Sequence, residues 1–584
     1  MRNTIKLTTA VAAGVTLFGC LGQIPDTPLS EVKAQTATKG LAEDKASLSV
    51  PVSSGTARSG NRAPDFDGAK LFTKGGWWQE LARPIENDPV HPNSDTLMSR
   101  FKSGKLRIDF STTTARGGNS IYGMPFNIVP ESQPDLPLKI TRYRSPEDPK
   151  AVPFFREMSI EKWQPSDGTP PTPGQISGDH HALVFRRGAT PGTLKELFEG
   201  NYVTSRDGGE TWETVGLARW DLTTGAPRQD GYSSGDAGGL PIAPLLIRYD
   251  EVQRGRIDHT LRINVPAGTF VNKYVWPARS TAYTGIGGDV QVVTDAPAAA
   301  GATSLSVRPL RKWSSNGLFI PGTVLSFTGS GTKAVVSADV GGEATTIPVQ
   351  PLPAPVRSGD CATVAVAIPM GARLRLKSSW LAANRDAAPP NIRVIFDALR
   401  KYGGIVADLT TGGLYINGIN DERWTMRELH ALMAVPCSAF EIVEPPAKLE
   451  FTGPNRGQVG APLTFKVRHT IPADSRFSTN VYFFQSSDGG ATWSSGKLNP
   501  SVFRCDDTHR GPFTVTFTPP AEGTYLIKAD PYQDWLDPPL LSVSVVGTAP
   551  AKSEARRKPA TRRPGSATPG PTTPTPIPRR RSTR

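Results

Sequence analysis

Proline and glycine interrupt this chain so often that a long, unbroken helix has almost nowhere to form. The 584 residues include 57 glycines and 55 prolines. Each proline removes a backbone donor and fixes φ, and each glycine inside a helix costs conformational entropy. The segments left between them are short. Many read as strands, such as Leu138 to Tyr143 and Ala182 to Phe185, with turn-forming residues on either side. Length alone implies roughly two to four domains. With 20% charged and 37% apolar residues, the expected class is mainly β and multidomain.

The first twenty residues stand apart. Arg2 and Lys6 precede an uncharged run from Leu7 to Phe18, which is too short to span a bilayer, and Leu17-Phe18-Gly19-Cys20 follows. This resembles the bacterial lipoprotein signal, in which the cysteine after the cut is acylated. The resemblance implies a signal peptide over 1–20, lipidation at Cys20, and an exported protein anchored to a bacterial membrane, the outer one if the host has two. Residues 21–64 are rich in Ser, Thr, Ala and Lys and poor in large apolar side chains, so they read as a flexible tether. No later apolar run is long enough to cross a membrane. The cysteines are Cys20, Cys361, Cys437 and Cys505, with no CxxC spacing, so no thiolate metal site or other cofactor is expected.

The net charge of +13 is mostly terminal. After Ala549 ten Lys/Arg residues meet a single acid, Glu554, and the body between leader and tail is close to neutral. A specific nucleic-acid partner is therefore not expected. The 548–584 tail reads as disordered, proline-rich and basic, suited to anionic envelope polymers.

Composition divides the remainder. A β-rich core domain spans 65–284 and resumes over 368–445, where the only amphipathic helices occur. Ile392, Ile395, Phe396 and Leu399 share one helical face before the stop at Gly403-Gly404, and Thr425 with Glu428 forms a capping box. This makes the C-terminal part of the core α+β. Residues 285–367 form an inserted small β domain with an internal repeat, Ala302 to Leu310 answered by Ala344 to Leu352. It resembles β modules of phage and surface structural proteins. Residues 446–547 resemble an Ig-like β-sandwich.

Ser205 to Trp212 and Ser486 to Trp493 both match S-x-D-x-G-x-T-W, the Asp-box of sialidase propellers. Two copies 281 residues apart cannot supply the evenly spaced blades of a propeller, so the motif reads as a turn device. Candidate acid and base residues are Asp179 and His180 ahead of an apolar strand, Asp236 in a glycine-rich loop, Asp250 and Glu251, and Asp408. Strand alternation would put Asp179 and the next histidine, His181, on one face and His180 on the other. Candidate binding residues are Arg248, His259, Trp276, Arg279, Arg373 and Lys377. Alternation places Arg373, Arg375 and Lys377 on one face, read as a solvated surface.

Several segments keep a fixed order: Asp179-His180, Asp236 to Ile242, Arg248 to Glu251, Ile257 to Arg262, Trp276 to Arg279, Pro369 to Gly371, Asp397 to Gly403, Asp421 to Trp424 and Phe440-Glu441. Together they resemble an uncharacterised family of exported bacterial proteins, with a core over about 121–443. Relatives of that kind carry Ig-like or sugar-binding modules, and the resemblance implies no activity. Two functions follow from the residues. The first is a lipid-anchored envelope protein that binds polysaccharide or another envelope polymer. The alternative is a carbohydrate-active hydrolase with a carboxylate pair in the core domain. No motif carries catalytic specificity, which favours binding; the oligomeric state is left open.

Overall fold

The computed structural model describes Phe66, Leu71 and residues 77–548, apart from 102–103, 112–113, 116–119, 122, 164–166, 176–177, 230, 283–289, 311–317, 445–448, 471–477, 489–493, 495–497, 499–502, 507–508 and 532–539. Cys20, the tether and the basic tail lie outside the described residues. Strands far outweigh helices, so the mainly β, multidomain class is borne out.

In chain order the strands that frame the core domain are β1 (Leu106–Asp109), β2 (Phe126–Val129), β3 (Leu136–Tyr143), β4 (Ala151–Val152), β5 (Ala182–Arg187), β6 (Leu194–Asn201) and β7 (Trp212–Asp221). They continue as β8 (Leu261–Pro266), β9 (Arg373–Leu376), β10 (Gly404–Thr410), β11 (Leu414–Asn417) and β12 (Phe440–Val443). The first sheet has the order β1-β11-β8-β10-β9-β12, and the second β2-β5-β6-β7-β3-β4. In the first, β1 is parallel to β11 and β8 is parallel to β10, while β8 and β11 are antiparallel.

The apolar run at Ala182 to Phe185 has a physical reason. Leu183 and Phe185 join the main core with Trp220, whereas Ala182 and Val184 enter a second cluster with Phe154 and Trp212. A strand covered on both faces has no need of polar alternation. In the main core Trp77 stacks on Trp220 with ring centroids 5.4 Å apart.

The helices of the core domain include α1 (Tyr249–Gln253), α2 (Pro390–Lys401) and α3 (Met426–Met433). Helix α2 buries Ile392, Ile395, Phe396, Ala398 and Leu399, the face its spacing predicts. It stops because Gly403 takes φ +67 and returns its N–H to the Ala398 carbonyl at 3.0 Å. Helix α3 starts on the Thr425–Glu428 capping box.

The inserted residues have their own apolar core, which includes Val292, Leu305, Leu325, Ala334 and Ile347. The two repeat copies pair with each other, Leu305 opposite Ile347 in antiparallel register. Flanking bonds repeat the relation: Val307 N–H donates to Thr345 O, and Val349 N–H donates to Thr303 O, both at 2.9 Å. Entry and exit are neighbours, with Val290 paired to Val364. On the host side of this doorway, Phe270–Tyr274 and Ile368–Met370 pair in parallel. The C-terminal strands form a three-stranded and a five-stranded sheet around Phe465, Phe483 and Tyr525, the two-sheet layering of a β-sandwich.

Candidate functional site

Polar residues gather where the first sheet meets the loops of the second. Asp109 on β1 is in register with Asn417 on β11, and Asn417 Nδ2 donates to Asp109 Oδ2 at 3.1 Å. Arg262 and Asn264 flank Ile263 on β8, which pairs with Ile416 of β11. Asp408 lies opposite Asn264 on β10, after a bulge between Ile263 and Asn264. Alternation along β8 points Arg262 and Asn264 to one face and its apolar residues to the other.

Two loops close over this face. The glycine-rich loop brings Asp236 to Arg262. Arg262 Nε donates to Asp236 Oδ2 at 2.8 Å, and Nη2 donates to Oδ1, making a two-pronged pair in which both side chains are buried. The glycines serve the chain itself: Gly238 N–H donates to Ala407 O at 2.9 Å, and a Cβ there would crowd that carbonyl. The other end of the loop is held by Glu199 on β6, which accepts from the N–H groups of Ile242 and Ala243 and from Trp220 Nε1 at 2.8–2.9 Å. Burial pushes the Glu199 carboxyl up to about 7 despite these bonds.

The second loop is held by Asn127 on β2, whose Oδ1 and Nδ2 bond the backbone N–H and C=O of Ser159 at 2.8 and 2.9 Å. This sets Glu161 against His181, with Nδ1 to Oε2 at 2.5 Å and Glu161 N–H to the His181 carbonyl at 2.9 Å. Burial opposes a charged imidazole, but Glu161 prevails and raises His181 to about 9. Glu161 is held below the usual carboxylate range: burial opposes this, and Lys162 and His181 outweigh it. Lys162 Nζ lies 3.5 Å from Glu161.

Backbone strain concentrates here. Among the described residues four non-glycines have positive φ, and Lys162 (+60), His180 (+27) and Tyr202 (+52) all belong to this corner. Such conformations cost on the order of 1–3 kcal/mol each and persist where surroundings impose them. Tyr202 N–H donates to the Asp179 carbonyl at 2.6 Å, and its ring meets His180 edge-on at 5.3 Å. Burial lowers His180 to about 4, leaving it neutral.

Charges of both signs meet in this corner. Three cations, Lys162, His181 and Arg262, share the site with the carboxyl groups of Asp109, Glu161, Asp179, Asp236 and Asp408. Burial and then the charge of Asp236 drive Asp408 well above its ordinary value. Burial and then Glu161 raise Asp109. Among the described residues, Arg262 Nη1, His181 Nε2, His180 Nδ1, Asn264 Oδ1 and Asn417 Oδ1 are buried without a hydrogen-bond partner.

Of the acid and base candidates, the structure brings together Asp179, His180, Asp236 and Asp408. Asp236 is fully engaged by Arg262 and has no free oxygen for chemistry. Asp250 and Glu251 sit apart on α1. Asp250 pairs with Arg423 at 2.7 Å, and Glu251 is buried against Arg248 at 2.5 Å and His259 at 3.1 Å. Arg248 and His259 are thus internal partners of Glu251, not groups open to a ligand. Trp276 and Arg279 are buried too, with the guanidinium over the indole and Arg279 Nε donating to Arg228 O at 2.9 Å. The solvated face expected for Arg373 and Arg375 is corrected. Both are buried, Arg373 on the Tyr402 carbonyl and Arg375 on Glu441, because the chain around Glu80 and Ile85 covers that face. Lys377 lies beyond the strand and pairs with Asp95 at 2.8 Å.

Sequence reasoning missed Asp109, Glu161, Lys162, Tyr202, Arg262, Asn264 and Asn417 as site residues. One signal was present: Leu261-Arg-Ile-Asn-Val265 and Leu414-Tyr-Ile-Asn417 set Arg or Asn among β-branched and aliphatic residues, in strands otherwise fit for burial. The first Asp-box is a turn, with Asp207 accepting from Ser205, Glu210 and Thr211 beside the buried Trp212. The turn and tryptophan of the second copy lie largely outside the described residues. Among the described residues no cluster of three or more His, Cys, Asp or Glu could hold a metal ion, and no helix is long and apolar enough to cross a membrane.

Fold and site together define a multidomain, mainly β protein with a cluster of buried polar and charged side chains where its first sheet meets the loops of its second. No protein-family model matches the chain, and no curated protein does. Among solved structures it is similar to the CARDB domain of a Pyrococcus furiosus protein in complex with di-metal ions, at 19% identity over 18% of this chain and 94% of that one, with a TM-score of 0.13. It is also similar to a beta-glucosidase from Listeria innocua, at 13% identity over 17% of this chain and 16% of that one, with a TM-score of 0.14. At these scores neither likeness carries an argument about fold or function.

Proposed function

We propose that this protein is exported, anchored to a bacterial membrane through acylated Cys20, and binds neutral polysaccharide of the envelope or surroundings through the polar face of its core domain. The observation that carries the binding reading is the set of buried, unpartnered atoms on this face: Arg262 Nη1 and His181 Nε2 as donors, Asn264 Oδ1 and Asn417 Oδ1 as acceptors. A buried polar atom left unpaired costs about 1–3 kcal/mol. A sugar offers hydroxyls that both donate and accept. A strongly charged ligand would have to displace an internal partner. The anchor rests on the leader sequence, and the basic tail suits anionic polymers on the same surface.

The test is a glycan array probed with the detergent-solubilised full chain and with Asn417→Leu and Asn264→Leu variants. The expected result is retention on neutral glycans, weakened about tenfold or more in each variant, which matches loss of one or two buried hydrogen bonds. Retention unchanged by both substitutions would remove the polar face from the reading. For the anchor, Cys20→Ala should move the protein out of the membrane fraction.

A further inference from the structure

Two tyrosines at one end of the second sheet are open to solvent. Among the described residues the large exposed apolar and aromatic side chains are Val90, Tyr143, Tyr202, Met426 and Val546, and the two tyrosines are each 40% exposed. The strand register brings them to a common point. Tyr143 ends β3 and is the Cα partner of Gly216 on β7, whose other partner is Asn201, the last residue of β6. Tyr202 follows directly. Two steps of about 4.8 Å across the sheet set Tyr143 about 10 Å from Asn201. Between them Gly216 has no side chain. A Cβ there would lie 3.3 Å from Asn201 Oδ1 and 3.4 Å from both Tyr143 Cβ and Ser234 O, so the glycine keeps this gap clear.

The gap adjoins the polar face. Asn201 Oδ1 accepts Gly216 N–H at 2.8 Å, and its Nδ2 donates to Gly235 O at 3.3 Å. Gly235 precedes Asp236, the partner of Arg262. The tyrosines thus flank the loop that closes over Arg262. Their exposure is not incidental. A φ of +52 is costly for a bulky residue, and Tyr202 is held in it by the Asp179 carbonyl and the His180 ring, yet the strain buries nothing. Arg142 lies over one face of Tyr143, with Cζ 5.1 Å from the ring centroid, and that ring stays open all the same.

We propose that Tyr143 and Tyr202 form an aromatic rim on which the bound polysaccharide stacks, and that the rim selects β-linked pyranose rings whose hydroxyls are all equatorial, as in β-glucan and xylan. This rests on the binding reading above and names the sugar class for the same face. Such a ring shows axial C–H bonds on both faces, an apolar surface that lies flat against a phenol ring. An axial hydroxyl, as in mannan or galactan, sets a polar group against the aromatic and spoils one face. A chain stacked at the rim turns its hydroxyl edges toward the buried donors and acceptors of the polar face.

The test uses the full chain in detergent, run by affinity electrophoresis in gels holding soluble β-glucan, xylan, mannan or galactan. The expected result is stronger retention on β-glucan or xylan than on the other two. Tyr143→Ala and Tyr202→Ala should each weaken it about three- to tenfold, and Tyr143→Phe and Tyr202→Phe by less than about twofold, because phenylalanine keeps the ring. Were Tyr202→Ala to lose its native circular dichroism, Tyr202→Phe and the Tyr143 variants decide. Retention unchanged in both alanine variants overturns the rim; if Asn417→Leu weakens it in the same gels, the polar face still stands. Losses in the phenylalanine variants as large as in the alanine ones overturn stacking. Stronger retention on mannan or galactan overturns the sugar class. No retention on any polymer removes the rim and the binding reading together.

Discussion

Replacing Arg262 with leucine should destabilise the core domain more than any other single change at the site. The guanidinium makes two bonds to Asp236 with both groups buried, and a third contact to Asp408 at 3.4 Å. Breaking a buried pair from one side leaves an uncompensated charge and typically costs about 3–5 kcal/mol. Here the stranded carboxyl faces a second one, so the upper part of that range applies. For a domain of this size, that is a fall in Tm on the order of 10 °C. Tryptophan fluorescence is a suitable probe, because eight of the eleven tryptophans (Trp77, Trp78, Trp163, Trp212, Trp220, Trp276, Trp380 and Trp424) belong to the core domain. Adding Asp236→Asn to Arg262→Leu should return about 2 kcal/mol or more, since the stranded charge disappears. A loss below about 1 kcal/mol in the single variant, or no recovery in the double, would refute the claim that this pair organises the face.

The His181–Glu161 pair should make stability fall with alkali. His181 is raised from 6.5 to about 9, so its contribution is complete below pH 6.5 and disappears as pH rises through about 9. The size is on the order of 3 kcal/mol, and a His181→Gln variant should lack this alkaline loss in urea titrations at graded pH. Gly178→Ala places a Cβ 2.6 Å from Lys162 Nζ at a φ of +95, so it should cost roughly 1–3 kcal/mol in thermal melts and displace the lysine. Burial pushes Cys361 up to about 12, so iodoacetamide at pH 8 should leave it unmodified in the native protein and label it after unfolding, as mass spectrometry of the peptides would record.

Local signals were legible wherever the chain decides the matter over a few residues. The apolar face of α2, its glycine stop and the Thr425–Glu428 box depend on spacing and on atoms within one turn. The repeat was legible as sequence, but not that its copies pair with each other, because pairing is set by contacts about forty residues apart along the chain. The candidate site divides similarly. Asp236 and Asp408 stood out as carboxylates, yet which one stays open depends on Arg262, 26 residues beyond Asp236. Alternation put Arg373 and Arg375 on one face correctly, but it cannot say that residues near Glu80 and Ile85, almost 300 positions earlier, cover that face. Asp179 and His181 were placed by strand alternation, but the strand begins only at Ala182, after the positive φ of His180 turns the chain.

The doorway of the inserted unit has a consequence for how this protein tolerates change. Val290 and Val364 are hydrogen-bonded neighbours, and the host strands on either side, Phe270–Tyr274 and Ile368–Met370, are themselves paired. The host path therefore closes whether the insertion is present or replaced by a short turn, and the insertion closes on itself through its paired halves. Topologically it is a detachable bead on a loop. Among the contacts that keep it from swinging, Asn93 bonds both backbone groups of Val324 at 2.7 and 3.3 Å, Arg100 reaches Leu318 O at 3.1 Å, Thr328 Oγ1 reaches Leu540 O of the sandwich at 2.7 Å, and Val293 and Cys361 pack with Leu526 and Leu540. Excising the bead would leave the core fold intact and release the sandwich from one of its fixings, turning a braced assembly into a string of jointed parts.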